Sequence, residues 1–275
     1  MEQKKKKGYG AGIVTGILAT VLVSLLLLGG FRVITNTAGS YASGKVTEKE
    51  VSKKLNKLNA LIDKYYLYED EIDTDQLAEG IYDLRLAAGE IAAQAVPGQF
   101  VSLYSKDGSR LLPRPISLCG IDKEKGELRL VYRVAGAGTK EFSALVAGDT
   151  IDVLGPLGNG FPLLEGKKAF LIGGGIGIPP MLQLAKALNE INGSEMVQSV
   201  IGYRDSHMFL KEEFEAYGLV TVATEDGSVG TKGNVLDAIR ENDLKADVIY
   251  ACGPTPMLRA LKAYSQEKGI LCYLS

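Results

Sequence analysis

Hydrophobic and polar positions change rhythm three times along the chain. After the basic run Lys4–Lys7, residues 8–31 carry no charged side chain, and Arg32 ends the stretch. At helical rise such a segment reaches about 36 Å, enough for a tilted passage through a hydrocarbon core of about 30 Å. Residues 1–45 therefore read as a basic amino terminus with a transmembrane helix, the membrane being engaged through residues 8–31. The lysines place the amino terminus on the cytoplasmic side. Small residues around Ser40-Tyr41-Ala42-Ser43 leave a cleaved signal peptide as the alternative. Residues 46–82 read as a short helical segment. Thr47 and Glu50 fit a capping box, Val51, Leu55, Leu58, Ile62 and Tyr65 follow at spacings of four and three, and Asp73 suits the cap of a second helix reaching Gly80.

From Asp83 the texture changes to short strand-like segments separated by turn signals. The segments Gln99–Tyr104, Leu111–Leu118, Glu127–Val134 and Thr150–Leu154 are rich in apolar and β-branched residues, with turns at Pro97-Gly98, Asp107-Gly108 and Lys125-Gly126. One short helix, about Lys140–Val146, interrupts them. Residues 83–164 thus predict a small antiparallel β-barrel. Residues 165–275 alternate apolar runs with helical stretches. Strands are expected at Lys168–Ile172, Val197–Gly202, Leu219–Thr224, Asp247–Ala251 and Ile270–Leu274, with helices at Pro179–Asn189, Phe209–Tyr217, Gly233–Asn242 and Pro256–Lys268. This rhythm predicts a doubly wound parallel sheet. The fold class is α/β plus β, the barrel preceding the sheet.

Composition narrows the chemistry. The chain has 275 residues with 31 basic and 33 acidic side chains, too balanced for a nucleic-acid binder. A single His excludes a His-rich metal site, and 3 Cys without a CxxC pair argue against structural zinc. The chemistry is expected to belong to a cofactor rather than to side-chain acids and bases, so no side chain is assigned a catalytic acid or base role.

Three motifs carry that expectation. Gly173-Gly174-Gly175-Ile176-Gly177 lies between a predicted strand and helix, where glycines admit a phosphate close to the backbone. Ile178 stands where a dinucleotide fingerprint wants its last Gly, and the ending of a P-loop is missing. Arg114-Pro115-Ile116-Ser117 sits in a predicted barrel strand, where the Arg can grip a pyrophosphate with its forked donors. Cys252-Gly253-Pro254 follows the fourth parallel strand, at the sheet edge where ligands of open α/β sheets bind.

Taken in this order, with "PGQFVSLY" (97–104), "VYRVAGAGT" (131–139), "GPLGNGF" (155–161), "TEDGSVGTKG" (224–233) and "YACGPTPML" (250–258), these motifs resemble the ferredoxin-reductase-like flavoproteins. Within them they resemble the electron-transfer subunits of class 1B dihydroorotate dehydrogenases. The resemblance implies an FAD-dependent oxidoreductase of pyrimidine biosynthesis, with FAD on the barrel and NAD on the sheet. Arg114, Pro115, Ile116 and Ser117 would hold FAD, and Val131, Tyr132 and Arg133 would flank the flavin. Gly138 and Thr139 would bind its pyrophosphate. Gly173, Gly174, Gly175 and Gly177 would underlie the nicotinamide cofactor, with Cys252, Gly253 and Pro254 near its reactive ring. The partner would be an FMN-containing catalytic subunit that oxidises dihydroorotate. NAD versus NADP stays open.

The family also carries a [2Fe-2S] centre on a cysteine cluster, and Cys119, Cys252 and Cys272 are too few and too scattered to ligate it, so electron transfer to the partner is expected to be impaired. Residues 46–82 resemble the helical segment of S41 carboxyl-terminal processing proteases, without their catalytic parts, so no peptidase activity is expected. Both resemblances share Gly80-Ile81-Tyr82, which suggests a chimera whose barrel lacks its first strand and holds FAD weakly. The anchor implies a single-pass membrane protein, and the family a cytoplasmic reductase domain. The alternatives are another ferredoxin:NAD(P) reductase-like subunit, or a non-catalytic membrane-anchored protein with a decayed reductase domain.

Overall fold

In a strand, alternate side chains face opposite sides, so each barrel strand sorts its residues between the core and the outside. Along Ile81–Ala87 (β2), Leu84 and Leu86 are buried in the barrel core while Arg85 lies half-exposed outside. Along Glu127–Arg133 (β5), Leu128, Leu130 and Tyr132 point in and Arg129, Val131 and Arg133 point out. The computed structural model describes residues 68–107 and 110–275. The other barrel strands are Tyr68–Ala78 (β1), Phe100–Tyr104 (β3), Arg114–Asp122 (β4) and Thr150–Leu157 (β6). They close in the order β1-β2-β5-β4-β3-β6, all neighbours antiparallel. Two short helices, Gly89–Gln94 (α1) and Ala137–Phe142 (α2), contribute Ile91 and Phe142 to the core.

The second layer system is a sheet of six parallel strands in the order β10-β9-β8-β7-β11-β12. Its strands are Ala169–Gly174 (β7), Val197–Tyr203 (β8), Leu219–Thr224 (β9), Thr231–Lys232 (β10), Val248–Cys252 (β11) and Leu271–Leu274 (β12). The helices are Pro179–Asn192 (α3), Lys211–Glu215 (α4), Val235–Glu241 (α5) and Thr255–Lys268 (α6). β7 is buried on both faces: Ala169 and Leu171 join the core under α3, and Phe170 and Ile172 the core on the opposite face. That explains its near-continuous apolar run. The α3-side core also takes in Ile81, Cys119 and Val131 of the barrel, so one hydrophobic cluster runs through both halves. Burying this shared surface fixes the barrel on the sheet.

Several expectations are corrected. The helix expected from Asp73 to Gly80 is strand β1, and the barrel is not missing its first strand. Asp73 pairs with Arg85 and Thr74 with Leu84, while Tyr68–Glu71 pair with Val153–Thr150 of β6. Backbone pairing on both sides closes the barrel, and that satisfies more donors and acceptors than a lone polar helix would. The chimeric junction near Gly80-Ile81-Tyr82 is an unbroken hairpin. Ala78 pairs with Ile81 across the two-residue turn Glu79-Gly80, with Gly80 at φ 68°. The reading of residues 68–82 as protease-like helix falls with it, and residues 46–67 lie outside the described residues. The strand expected at Leu111–Leu118 begins at Arg114, because Leu111 and Leu112 stand 78% and 76% exposed in the preceding loop. The single-pass membrane localisation is also corrected, since no helix among the described residues is long and apolar enough to cross a membrane. The expected span 8–31 itself lies outside the described residues.

Candidate functional site

The parallel order reverses at β7, whose neighbours β8 and β11 lead away in opposite directions. A crevice opens at such a switch point, beyond the carboxyl ends of the strands. Here it is a cleft of about 1210 Å³ between sheet and barrel. Its floor is Gly174, Gly175 and Gly177, its far wall Cys252, Gly253 and Pro254, and its barrel wall Ser117 and Arg133. Eight of the residues singled out from sequence therefore meet in one cavity.

The floor is built by close approach. Gly175–Gly177 form a single 3₁₀ turn between β7 and α3, and Pro179 and Pro180 occupy the first turn of α3, where no amide is needed. A Cβ on Gly177 would stand 2.3 Å from the Cys252 carbonyl oxygen, so only glycine lets the loop lie against the end of β11. Gly173 is buried at the end of β7 against Ile178 and supports the loop from behind. Ile178, where a dinucleotide fingerprint would have Gly, is fully buried. Arg133 reaches over from the barrel, with its Nη2 3.6 Å from where a Cβ of Gly175 would stand.

The remaining sequence candidates lie on the barrel. Arg114 donates from Nη1 to the Leu112 carbonyl at 2.5 Å and lies across Gly138, where a Cβ would stand 2.8 Å from its Nε. Pro115 is exposed and Ile116 packs partly on the barrel core. Val131 belongs to the core shared with the sheet. Tyr132 is buried, stacked with Tyr82 at 6.1 Å and edge-on to Phe142 at 6.4 Å, and its hydroxyl has no hydrogen-bond partner. Burial raises its phenol above the usual range, and the nearby Tyr82 adds to that. The Thr139 hydroxyl caps α2, accepting from the amides of Ala135 at 2.9 Å and Gly136 at 3.2 Å.

Burial also raises the Cys252 thiol, opposed by a hydrogen bond with Ser275. A neutral thiol thus lines the cleft. Cys119 is wholly buried and Cys272 partly so. Among the described residues no group of three or more His, Cys, Asp or Glu is placed to hold a metal ion.

Other cleft residues escaped the sequence reading. Ala78, Glu79 and Ile81 enter from the β1–β2 hairpin, which the sequence reading took for helix. Tyr203, the last residue of β8, and Phe209, in the segment after it, line the cleft, locked by a 2.5 Å hydrogen bond from the Tyr203 hydroxyl to the Phe209 carbonyl. His207, the chain's single His, is 83% exposed on the rim and paired with Asp205 at 2.8 Å.

A closed antiparallel barrel, followed by a parallel sheet with a glycine-floored cleft at its switch point, defines an oxidoreductase of the ferredoxin-reductase-like class. A family model described as an oxidoreductase NAD-binding domain matches residues 171–263. The NADH-dependent reduced ferredoxin-NADP oxidoreductase aligns with a TM-score of 0.68 and 31% identity, over 75% of each chain. The ferredoxin reductase of carbazole 1,9a-dioxygenase shares the fold, with a TM-score of 0.65 at 19% identity over 76% of this chain and 68% of that one. A Geobacillus sp. (strain WCH70) protein named dihydroorotate dehydrogenase B (NAD(+)), electron transfer subunit, is 46% identical over 204 residues, covering 72% of this chain and 78% of its own. Its namesake from Bacillus caldolyticus is 48% identical over 190 residues, covering 67% and 73%. The chain belongs to this family of dihydroorotate dehydrogenase B electron transfer subunits.

Proposed function

We propose that this chain carries electrons between NAD(H) and a dihydroorotate dehydrogenase catalytic subunit, using FAD held on the barrel. One observation carries the reading: Ser117 and Arg133 of the barrel face the glycine floor and the Cys252-Gly253-Pro254 wall across a single cleft.

The residues fit both cofactors. A cleft of about 1210 Å³ has room for a dinucleotide, and its floor is a cradle that a Cβ on Gly177 would fill. On the barrel, Arg114 offers a guanidinium beside the buried Gly138, suited to a pyrophosphate. The buried Tyr132 hydroxyl keeps an unused donor. When bound, FAD supplies the chemistry that joins hydride exchange with a nicotinamide to onward electron delivery.

The chain's own residues position and insulate. Arg114 would neutralise phosphate charge, and the Ser117 hydroxyl, which lines the cleft, would offer a hydrogen bond. Cys252, kept neutral by burial, presents an uncharged wall to a nicotinamide. A flavin and a nicotinamide held in register by these walls would need no side-chain acid or base, the positioning itself supplying the catalysis.

The test is anaerobic titration of the FAD-loaded protein with NADH, followed by addition of the separately purified catalytic subunit. The expected result is a flavin absorbance bleached by NADH, and electron flow to or from the catalytic subunit only when both chains are present. A protein that takes up no FAD, or whose FAD NADH cannot reduce, would overturn the reading.

A further inference from the structure

The barrel and the sheet meet along the outer face of β5, and that face carries three residues in line: Arg129, Val131 and Arg133. Arg133 lies at the cleft. Arg129 lies at the other end of the strand, about 13 Å away at ordinary strand rise. Its guanidinium is almost fully engaged. On the barrel side, Nε donates to both carboxylate oxygens of Asp83, at 3.0 and 2.9 Å, and Nη2 lies 2.8 Å from Asp83 Oδ2. On the sheet side, Nη2 donates to Glu213 Oε1 at 2.9 Å and Nη1 bonds the other oxygen. Asp83 and Arg129 are 7% and 12% exposed, so the fork is mostly shielded from solvent.

Glu213 stands on α4, whose Phe214 is buried in the shared core. The segment leading into α4 contains Phe209, a wall of the cleft, and Leu210, held at φ 64°. That is a conformation a bulky residue keeps only when its surroundings impose it. A second contact lies beside the fork: the Ile121 amide of β4 donates to Gln183 Oε1 of α3 at 2.8 Å, one strand over from Arg129.

We propose that Glu213 is a positioning residue: by gripping Arg129 across the barrel–sheet boundary it holds the two walls of the cleft at their working separation. This rests on the function proposed above, in which the flavin belongs to one wall and the nicotinamide to the other. A displacement of about 1 Å between reacting groups is enough to slow a reaction by about a hundredfold. The clamp therefore acts on the limiting transfer rate and leaves the binding of each cofactor to its own wall.

The experiment compares the full chain with E213Q and E213A, both of which leave the buried Arg129–Asp83 pair in the barrel. Hydrogen exchange at the Ile121 amide is followed in flavin-free protein, with Val200 in the sheet core as reference. Single-turnover flavin reduction by saturating NADH is then followed in the loaded protein. In E213A, Ile121 exchange is expected to quicken about threefold to fivefold, the size a half-exposed bidentate pair allows, with Val200 unchanged. The limiting reduction rate is expected to fall about threefold to tenfold, while FAD content and the NADH dissociation constant stay at wild-type values. E213Q, which keeps an acceptor for one guanidinium donor, should fall between. Unchanged Ile121 exchange, equal acceleration at Val200, or an effect on NADH affinity instead of rate would each overturn the proposal. Wild-type flavin that NADH cannot reduce would instead refute the proposed function, with the exchange result still standing.

Discussion

Gly177→Ala isolates the close approach on which the cleft floor depends. A Cβ there would stand 2.3 Å from the Cys252 carbonyl oxygen, 2.4 Å from its carbonyl carbon and 2.6 Å from Gly253 Cα. Comfortable contacts between such atoms lie near about 3.5 Å, so the loop and the end of β11 must part by about 1 Å. All three neighbours are backbone, so no rotamer change relieves the clash. Overpacking of this kind costs about 1–3 kcal/mol, or roughly 2–12 °C of melting temperature in a domain of this size. The same displacement moves the floor relative to the barrel wall, and flavin reduction by NADH should slow about tenfold to a hundredfold. FAD content should not change, because Arg114 and Ser117 stand on the barrel. Gly174→Ala is the control. Its Cβ would meet the Met257 sulfur at 2.7 Å, and a flexible thioether can swing aside, so its effect should be milder. Calorimetry and single-turnover absorbance on the two variants decide the matter. Gly177→Ala with wild-type melting temperature and reduction rate would refute the reasoning.

Three further outcomes follow from the same geometry. Arg114→Ala removes the guanidinium beside Gly138, and FAD should bind about tenfold to a hundredfold more weakly with NADH affinity unchanged, as fluorescence titration would show. Tyr132→Phe deletes a buried hydroxyl that has no partner, so flavin-free protein should keep its stability or gain up to about 1 kcal/mol; a clear drop in denaturant midpoint would contradict this. Stability should fall on the alkaline side. Burial raises Cys119, Tyr132 and Tyr203 in the folded chain, so the unfolded chain loses these protons first, at about pH 8.5 for the thiol and 10 for the phenols. Their contribution is complete below about pH 8 and declines as pH rises through 9 to 11. Cys119→Ala should flatten the first part of that decline, and a melting temperature constant to pH 11 would rule the effect out.

The local sequence was a good guide wherever the cause of structure is local. Leu128, Leu130 and Tyr132 alternate with Arg129, Val131 and Arg133, and the strand follows the alternation. Glycines at 173, 174, 175 and 177 and prolines at 179 and 180 mark a strand-to-helix turn, and the turn is there. Tyr68–Ala78 shows the limit. Its acidic text offers a helix cap at Asp73 and little apolar alternation, yet it forms a strand, because β2 and β6 present backbone edges that must be paired. Leu111 and Leu112 erred in the other direction, reading as strand from their hydrophobicity while standing exposed in a loop.

By itself, then, the sequence determined the barrel-then-sheet order, most strands of both halves and the glycine-rich turn between β7 and α3, since propensity, period and turn residues act within a few residues. The tertiary structure alone decided the closure of the barrel by β1 and the apposition of Ser117 and Arg133 to the glycine floor. It also decided the grip of Arg129 on a carboxylate 84 residues away. Those depend on which edges are left to pair and which charges are withdrawn from water together, and both are set only when distant segments are packed.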